Sequence, residues 1–311
     1  MSDGTVHPAD GESAKTVLRS ALTRADARVD GIMPVLRHLV AAEPDPALND
    51  EAITRVRSMI GDLSAQLIGN GESDQLSVRL SSELVKDAAL LAHIHSLALE
   101  WQIAESLNAR LGVDPVVSPL LQSLISSADM AVQSAAITFL AAQARWRQTQ
   151  SRMKLPLREL PVDALHSVLQ TLRTLSYEYA DLWQRADQME TLLRSEYDEG
   201  ATRLGAASHL LASILHGGWP VLDVIETGAT LFLSAASTLS WQRRENVVLA
   251  AHDGQFTRLA LALRAAGAEP LKINEQLAAL YPDAPLPANL RDLSQADAGA
   301  ILGGYSLENG Q

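Results

Sequence analysis

The sequence predicts an all-α protein, a multi-helix array or bundle of antiparallel helix pairs. Three observations carry that expectation. Hydrophobic residues make up 47% of the 311-residue chain and aromatics only 4%, so the core must be assembled from Leu, Ala, Val and Ile, which suit closely approaching helices. Apolar residues recur at steps of three and four, the period of a helix face. Between Leu204 and Ala251 only Asp223, Glu226, Arg243, Arg244 and Glu245 carry fixed charge. That predicts central helices sheltered by other helices, with no face left for water.

Taken in order, residues 1–12 are polar and read as a disordered amino terminus. A helical region follows over 13–153. Lys15 to Arg28 reads as a short helix through Val17, Leu18 and Leu22, and a second starts near Gly31 with Pro34 in its first turn. Glu43-Pro44-Asp45-Pro46 breaks the chain. Asn49 is then a good cap for a helix in which Ile53, Val56, Ile60, Leu63 and Leu67 form a seam. That seam is either an internal packing face or a coiled-coil contact in a homo-oligomer. Gly69, Asn70 and Gly71 end it.

From Asp74 to Leu111 the pattern stays helical, with a break near Lys86 and Asp87. Leu90, Ile94, Leu97 and Trp101 form one stripe, and Ile103, Leu107 and Leu111 another. Ser118 and Pro119 open a short helix, and Asp129 caps a longer one whose Val132, Ala135, Ala136, Phe139, Leu140 and Trp146 share a face.

Lys154 to Pro161, with prolines at 156 and 161, is the expected boundary to a second helical region over 160–281. Leu165, Val168, Leu169 and Leu172 define its first helix. Tyr179, Leu182, Trp183, Ala186, Met189 and Leu193 define a longer, wetter one, on which Asp181 with Arg185 and Glu190 with Arg194 are spaced for surface pairs. The charge-poor stretch comes next, divided at Gly217-Gly218-Trp219-Pro220 and near Thr227-Gly228. Phe256, Leu259, Ala260 and Leu263 make another helix, stopped by Gly267 and Pro270, and Ile273 to Leu280 adds a turn or two. The tail over 282–311 opens with Pro282, Pro285 and Pro287 as an extended linker, and Asp292 to Leu302 reads as one more short helix.

Leu124 to Leu140 resembles a HEAT-type helix pair, with Asp129 at the turn and Val132 opening the second helix. Gln133 stands where such repeats commonly carry Arg. Asp253 to Leu280 is similar to the closing segment of uncharacterised bacterial helical-repeat proteins. The resemblance implies stacked antiparallel helix pairs and binding of other proteins. No fixed period runs along the whole chain.

A formal charge of −12 and a pI of about 5.1 repel nucleic acid and anionic membrane. The chain has no Cys, which excludes disulfides, thiolate metal sites and cysteine nucleophiles. The amino terminus lacks a signal-peptide pattern, so a cytoplasmic location is expected. Leu204 to Leu222 approaches the ~20 apolar residues that span a bilayer. Its His209, His216, glycines and Pro220, with Asp223 and Glu226 immediately after, argue against insertion.

Patterns for helical metal sites, diphosphate-magnesium sites, phosphate cradles and serine elbows are all missing from the sequence. No catalytic residue, metal or cofactor is therefore expected. Two candidate sites remain. His209 and His216, seven apart, return to one helix face, and with Asp223 or Glu226 across a turn they could line a pocket that binds metal or relays protons. The plainer reading is two core-edge imidazoles bonded to backbone. His93 and His95 are splayed by a spacing of two. Arg145, Arg147, Arg152, Lys154 and Arg158 have no acid between them and surround Trp146, a pattern that can hold an anion or a partner. The plainer reading there is cations at a helix end. Glu196, Asp198 and Glu199 beside Tyr197 form an acidic turn. Together these observations favour a non-enzymatic, cytoplasmic helical module that binds another protein. The competing classes are an enzyme or a small-ligand or metal-binding domain with a pocket near 204–251, and a membrane-associated helical protein.

Overall fold

The computed structural model describes residues 8–41, 50–69, 74–252, 255–282, 290 and 293–306. Among the described residues the chain forms fourteen α-helices and no strand. They are α1 (Pro8–Ala41), α2 (Glu51–Ile68), α3 (Asp74–Leu84), α4 (Ala88–Leu111), α5 (Pro119–Ile125), α6 (Met130–Gln150), α7 (Val162–Ser176) and α8 (Ala180–Glu196). Then come α9 (Arg203–Ile214), α10 (Val224–Ser240), α11 (Arg244–His252), α12 (Phe256–Ala265), α13 (Pro270–Leu280) and α14 (Gln295–Ser306). No helix among the described residues is long and apolar enough to cross a membrane.

Most helix ends follow local chemistry. The carboxylates of Asp50, Asp87, Asp129 and Asp223 accept bonds from the first-turn amides of Ala52 (2.8 Å), Ala89 (2.9 Å), Ala131 (2.8 Å) and Ile225 (3.0 Å), satisfying donors that the helix itself leaves open. Asp50, not Asn49, caps α2, and Asn49 lies outside the described residues. Gly69 and Gly267 close α2 and follow α12 with φ of 89° and 97°, the left-handed region that glycine enters without a Cβ clash.

Three expectations change. The amino-terminal helices are one: α1 starts at Pro8, inside the stretch expected to be disordered, and runs through Gly31 and Pro34. Residues 1–7 lie outside the described residues. Pro34 removes one N–H from the ladder, but Leu18 and Leu22 before it and Leu36 and Val40 after it are all buried, so burial on both sides holds the helix through the proline. The seam on α2 is internal: Val56, Ile60, Leu63 and Leu67 are buried within a single copy, where α2 packs on α3 and α8. The expected boundary at Lys154–Pro161 lies inside a compact unit. Asp62 and Gln66 of α2 tie it down, Asp62 accepting from the Leu155 amide (3.0 Å) and Gln66 accepting from the Leu157 amide (3.1 Å) and donating to the Leu155 carbonyl (2.8 Å).

The chain divides into two compact units, one made of 1–32, 103–120 and 219–311, the other of 33–102 and 121–218. In the first, α10 packs on α11, α12 and α13, and α12 packs on α14. Leu18 and Leu22 of α1 join Leu261, Ala262, Ile301 and Leu302 in one apolar cluster. The Gln276 side chain accepts from the Val224 amide (2.7 Å) at the start of α10, and Arg110 donates to the Leu280 carbonyl (2.9 Å) at the end of α13, a cation at the negative pole of a helix. Gly228, φ 70°, kinks α10 beside Ser118, close to the division expected at Thr227-Gly228. In the second unit α2 packs on α3 and α8, α7 on both α3 and α8, and α6 on α9.

The charge-poor stretch behaves in two ways. Leu231, Phe232, Leu233, Ala235 and Ala236 of α10 are buried, as expected of a helix apolar on all sides. α9 is not sheltered all round, because Ser208, His209, Ala212 and Ser213 are exposed. Its outward positions are small or polar, so absence of charge overstated its burial. Of the tail, 283–289 and Asp292 lie outside the described residues, and α14 begins at Gln295.

Candidate interaction surface

His209 and His216 do not share a helix face, and the cations of the basic run point in different directions. His209 is exposed on α9, and His216 is exposed in the turn after it, because α9 ends at Ile214 and the seven-residue return to one face is lost. The Asp223 carboxylate is engaged in capping α10. Among the described residues no group of three or more His, Asp or Glu is placed to hold a metal ion. His93 is buried, and its backbone carbonyl accepts from the Ser96 hydroxyl (2.7 Å).

The basic run is dispersed as well. Arg145, Arg152, Lys154 and Arg158 are exposed, and Lys154 lies 3.9 Å from Asp62. Arg147 turns inward and lies over the Trp101 ring, 4.0 Å from its centroid. Trp146, expected at the heart of the run, is buried under the Arg203 guanidinium at 4.4 Å.

These contacts belong to a ladder of stacked cations and rings in the second unit, in which Arg55, Glu100, Trp146 and Arg203 are buried. Arg55 also lies over Trp101, at 4.3 Å, and donates to the Gln150 carbonyl (2.6 Å) and Glu51 (3.0 Å). Arg203, 1% exposed, forms a two-pronged pair with Glu100, 3% exposed: Nη1 donates to Oε1 (2.6 Å) and Nη2 to Oε2 (2.9 Å). Matching a planar guanidinium to a carboxylate in this way recovers much of the cost of removing both charges from water. Sequence reasoning missed the ladder. The available signal was a lone Glu100 between Leu99 and Trp101 on an apolar stripe.

At the start of α9 the Thr202 hydroxyl accepts from the Gly205 amide (2.9 Å) and donates to the Glu199 carbonyl (2.7 Å). The backbones meet closely there: a Cβ on Gly205 would sit 2.0 Å from the Glu199 carbonyl oxygen. A cavity of about 330 Å³ opens beside this contact, lined by Glu159, Glu199, Thr202, Leu204 and Ser208, and by none of the four expected pocket residues. The acidic turn has one measurable consequence. Burial first, then Glu199, Glu159 and Asp198, push the Tyr197 phenol up to about 12 from its ordinary 10.0, and its hydroxyl donates to the Leu160 carbonyl (2.8 Å). The folded chain therefore keeps a proton that the unfolded chain releases, and stability falls as pH rises from about 10 through about 12. Tyr197→Phe is expected to flatten that alkaline loss in melting curves; an unchanged slope would refute the assignment.

The surface that stands out is the turn between α7 and α8. Leu165, Val168, Leu169, Leu172 and Leu175 bury one face of α7, and Leu182 and Ala186 bury one face of α8. Residues one step off those stripes point elsewhere. Tyr177 (73%), Tyr179 (42%) and Trp183 (48%) are accordingly exposed, with the Tyr177 and Trp183 rings 5.4 Å apart and tilted by 55°. Arg173 reaches across from α7, 5.9 Å from the Trp183 centroid, and pairs with Glu190 (2.5 Å) and Asp187 (3.8 Å) of α8. A polar cavity of about 460 Å³, lined by Arg79, Lys86, Thr171, Thr174 and Glu178 among others, adjoins the same turn through Glu178. On α8 the expected Glu190–Arg194 pair is present at 2.7 Å, and Arg185 instead donates to the Leu67 carbonyl (3.1 Å). The side chain of Asp181 lies outside the described residues.

No protein-family model, curated protein or solved structure matches this chain. The HEAT-type likeness of Leu124–Leu140 therefore rests on those residues alone.

Proposed function

We propose that this chain is a non-enzymatic, cytoplasmic helical interaction protein that docks another protein through the α7–α8 turn. One observation carries the reading: with five Trp, five Tyr and three Phe in the whole chain, two Tyr and one Trp are gathered in a single turn and left exposed. Trp, Tyr and Arg are the side chains that dominate binding energy at interfaces, and all three types meet here. Grouped aromatics facing water cost solvation free energy that a monomer has no reason to retain.

The test is capture from native cell extract, followed by identification of the retained proteins. Tyr177→Ser with Trp183→Ser is expected to abolish specific capture while leaving the protein folded with a modestly lower melting temperature, since Tyr177 is mostly exposed and Trp183 about half exposed. Alanine at His209 and His216, or at the exposed cations Arg145, Arg152, Lys154 and Arg158, is expected to leave capture intact; Arg147 stays in place because it packs on Trp101. Undiminished capture by the aromatic double variant refutes the reading. Loss confined to the cation variant moves the interface to the basic run.

A further inference from the structure

We infer that the α7–α8 turn takes a basic segment of its partner, with Arg or Lys side chains laid over Trp183 and Tyr177 and their charges facing carboxylates of the same turn. This names the partner's chemistry and rests on the interaction reading above.

The chain already makes such a contact with itself. Arg173 holds its guanidinium near the Trp183 face while pairing with Glu190 and Asp187. A cation over the electron-rich face of an aromatic, with a carboxylate alongside, is a favourable arrangement for arginine in particular. The turn has room for more than one. From Tyr177 to Glu190, the turn and the α8 residues nearest it, the sequence carries four acids, Glu178, Asp181, Asp187 and Glu190, against one base, Arg185. Arg194 is engaged with Glu190 and Arg185 with the Leu67 carbonyl. Glu178 is exposed, Asp187 is exposed beside Arg173 at 3.8 Å, and among the described residues no cation lies over the exposed Tyr177 ring.

The wider field points the same way. A net charge of −12 draws a cationic segment toward the molecule and turns away phosphate-bearing ones. A purely apolar partner helix would have to desolvate Glu178 and Asp187 without replacing their water contacts, which disfavours it. An arginine-bearing segment replaces them.

The test uses the full-length chain and a fluorescein-labelled peptide of repeating Arg-Gly-Arg-Ser, read by fluorescence anisotropy at moderate salt, with the Glu-for-Arg peptide as comparison. The Arg peptide is expected to bind and the Glu peptide not. Tyr177→Ser or Trp183→Ser should weaken binding about tenfold, and Asp187→Asn several-fold. Met130→Ser, an exposed position on α6, should have no effect. Equal behaviour of the two peptides overturns the inference. So does Arg-peptide binding that survives loss of both rings, because it would then reflect general attraction to an acidic molecule. If the Arg peptide fails while the aromatic double variant still loses its natural partner, the basic chemistry is wrong and the surface is right.

Discussion

Glu100→Gln lowers the unfolding free energy by about 3 to 5 kcal/mol, the cost of breaking one side of a buried ion pair. The Arg203 guanidinium, 1% exposed, then keeps its full charge opposite a neutral amide. Its stack on Trp146 compensates only in part, because a cation over a ring gains about 2 kcal/mol even when desolvated. Whole domains are stable by only about 5 to 15 kcal/mol, so the second unit should melt well below its normal temperature or fail to accumulate. The informative companion is Glu100→Leu combined with Arg203→Met. Removing both charges eliminates the desolvation cost along with the attraction, and the double variant is expected to recover most of the loss. Guanidinium titrations of the three proteins decide the matter: a single variant within about 1 kcal/mol of the parent would mean that the pair is solvated in solution.

Phe232→Ala is expected to cost about 3 to 5 kcal/mol, the range for deleting a buried aromatic side chain. Phe232 is fully buried in α10, flanked by Leu231 and Leu233, which are equally hidden. The matched control is Trp241→Ala at the end of the same helix. Trp241 is 93% exposed and adopts φ 57°, so removing its indole takes away almost no packing and should change stability by less than about 0.5 kcal/mol. A small effect at Phe232 would contradict the burial of α10, and with it the packing of the first unit.

How far the chain could be read in advance depended on range. Caps and stops are written within four residues, so Asp129, Ser118-Pro119, the Lys86-Asp87 break and Gly267 with Pro270 marked helix ends that the structure places there. Continuation of α1 through Pro34 was not legible, because it is decided by burial of Leu36 and Val40 rather than by the proline's own preference. The Lys154–Pro161 segment reads as a linker by composition, but Asp62 and Gln66, some ninety positions earlier, fasten it. Glu100 finds Arg203 across a separation of 103 residues, and nothing in one sequence announces that pairing.

The candidate surface was half legible. Helical spacing put Tyr179, Leu182, Trp183 and Ala186 on one helix with an outside face, but did not say which residues face out. Burial of Leu182 and Ala186 settles that Trp183, a hundred degrees further round, is displayed. The histidine pair was misplaced for a related reason. Its return to one face required α9 to continue to His216, and the helix stops at Ile214.

Gly205 leaves a different kind of mark. A hydrogen atom is all that fits between the start of α9 and the Glu199 carbonyl, whereas Ser208, His209, Ala212 and Ser213 on the open side of the same helix meet solvent. Neutral drift can therefore rewrite that open side many times over while this one position stays frozen. Among distant descendants of a common ancestor, an unchanging glycine two residues into a helix would outlast every charge around it as the signature of this corner.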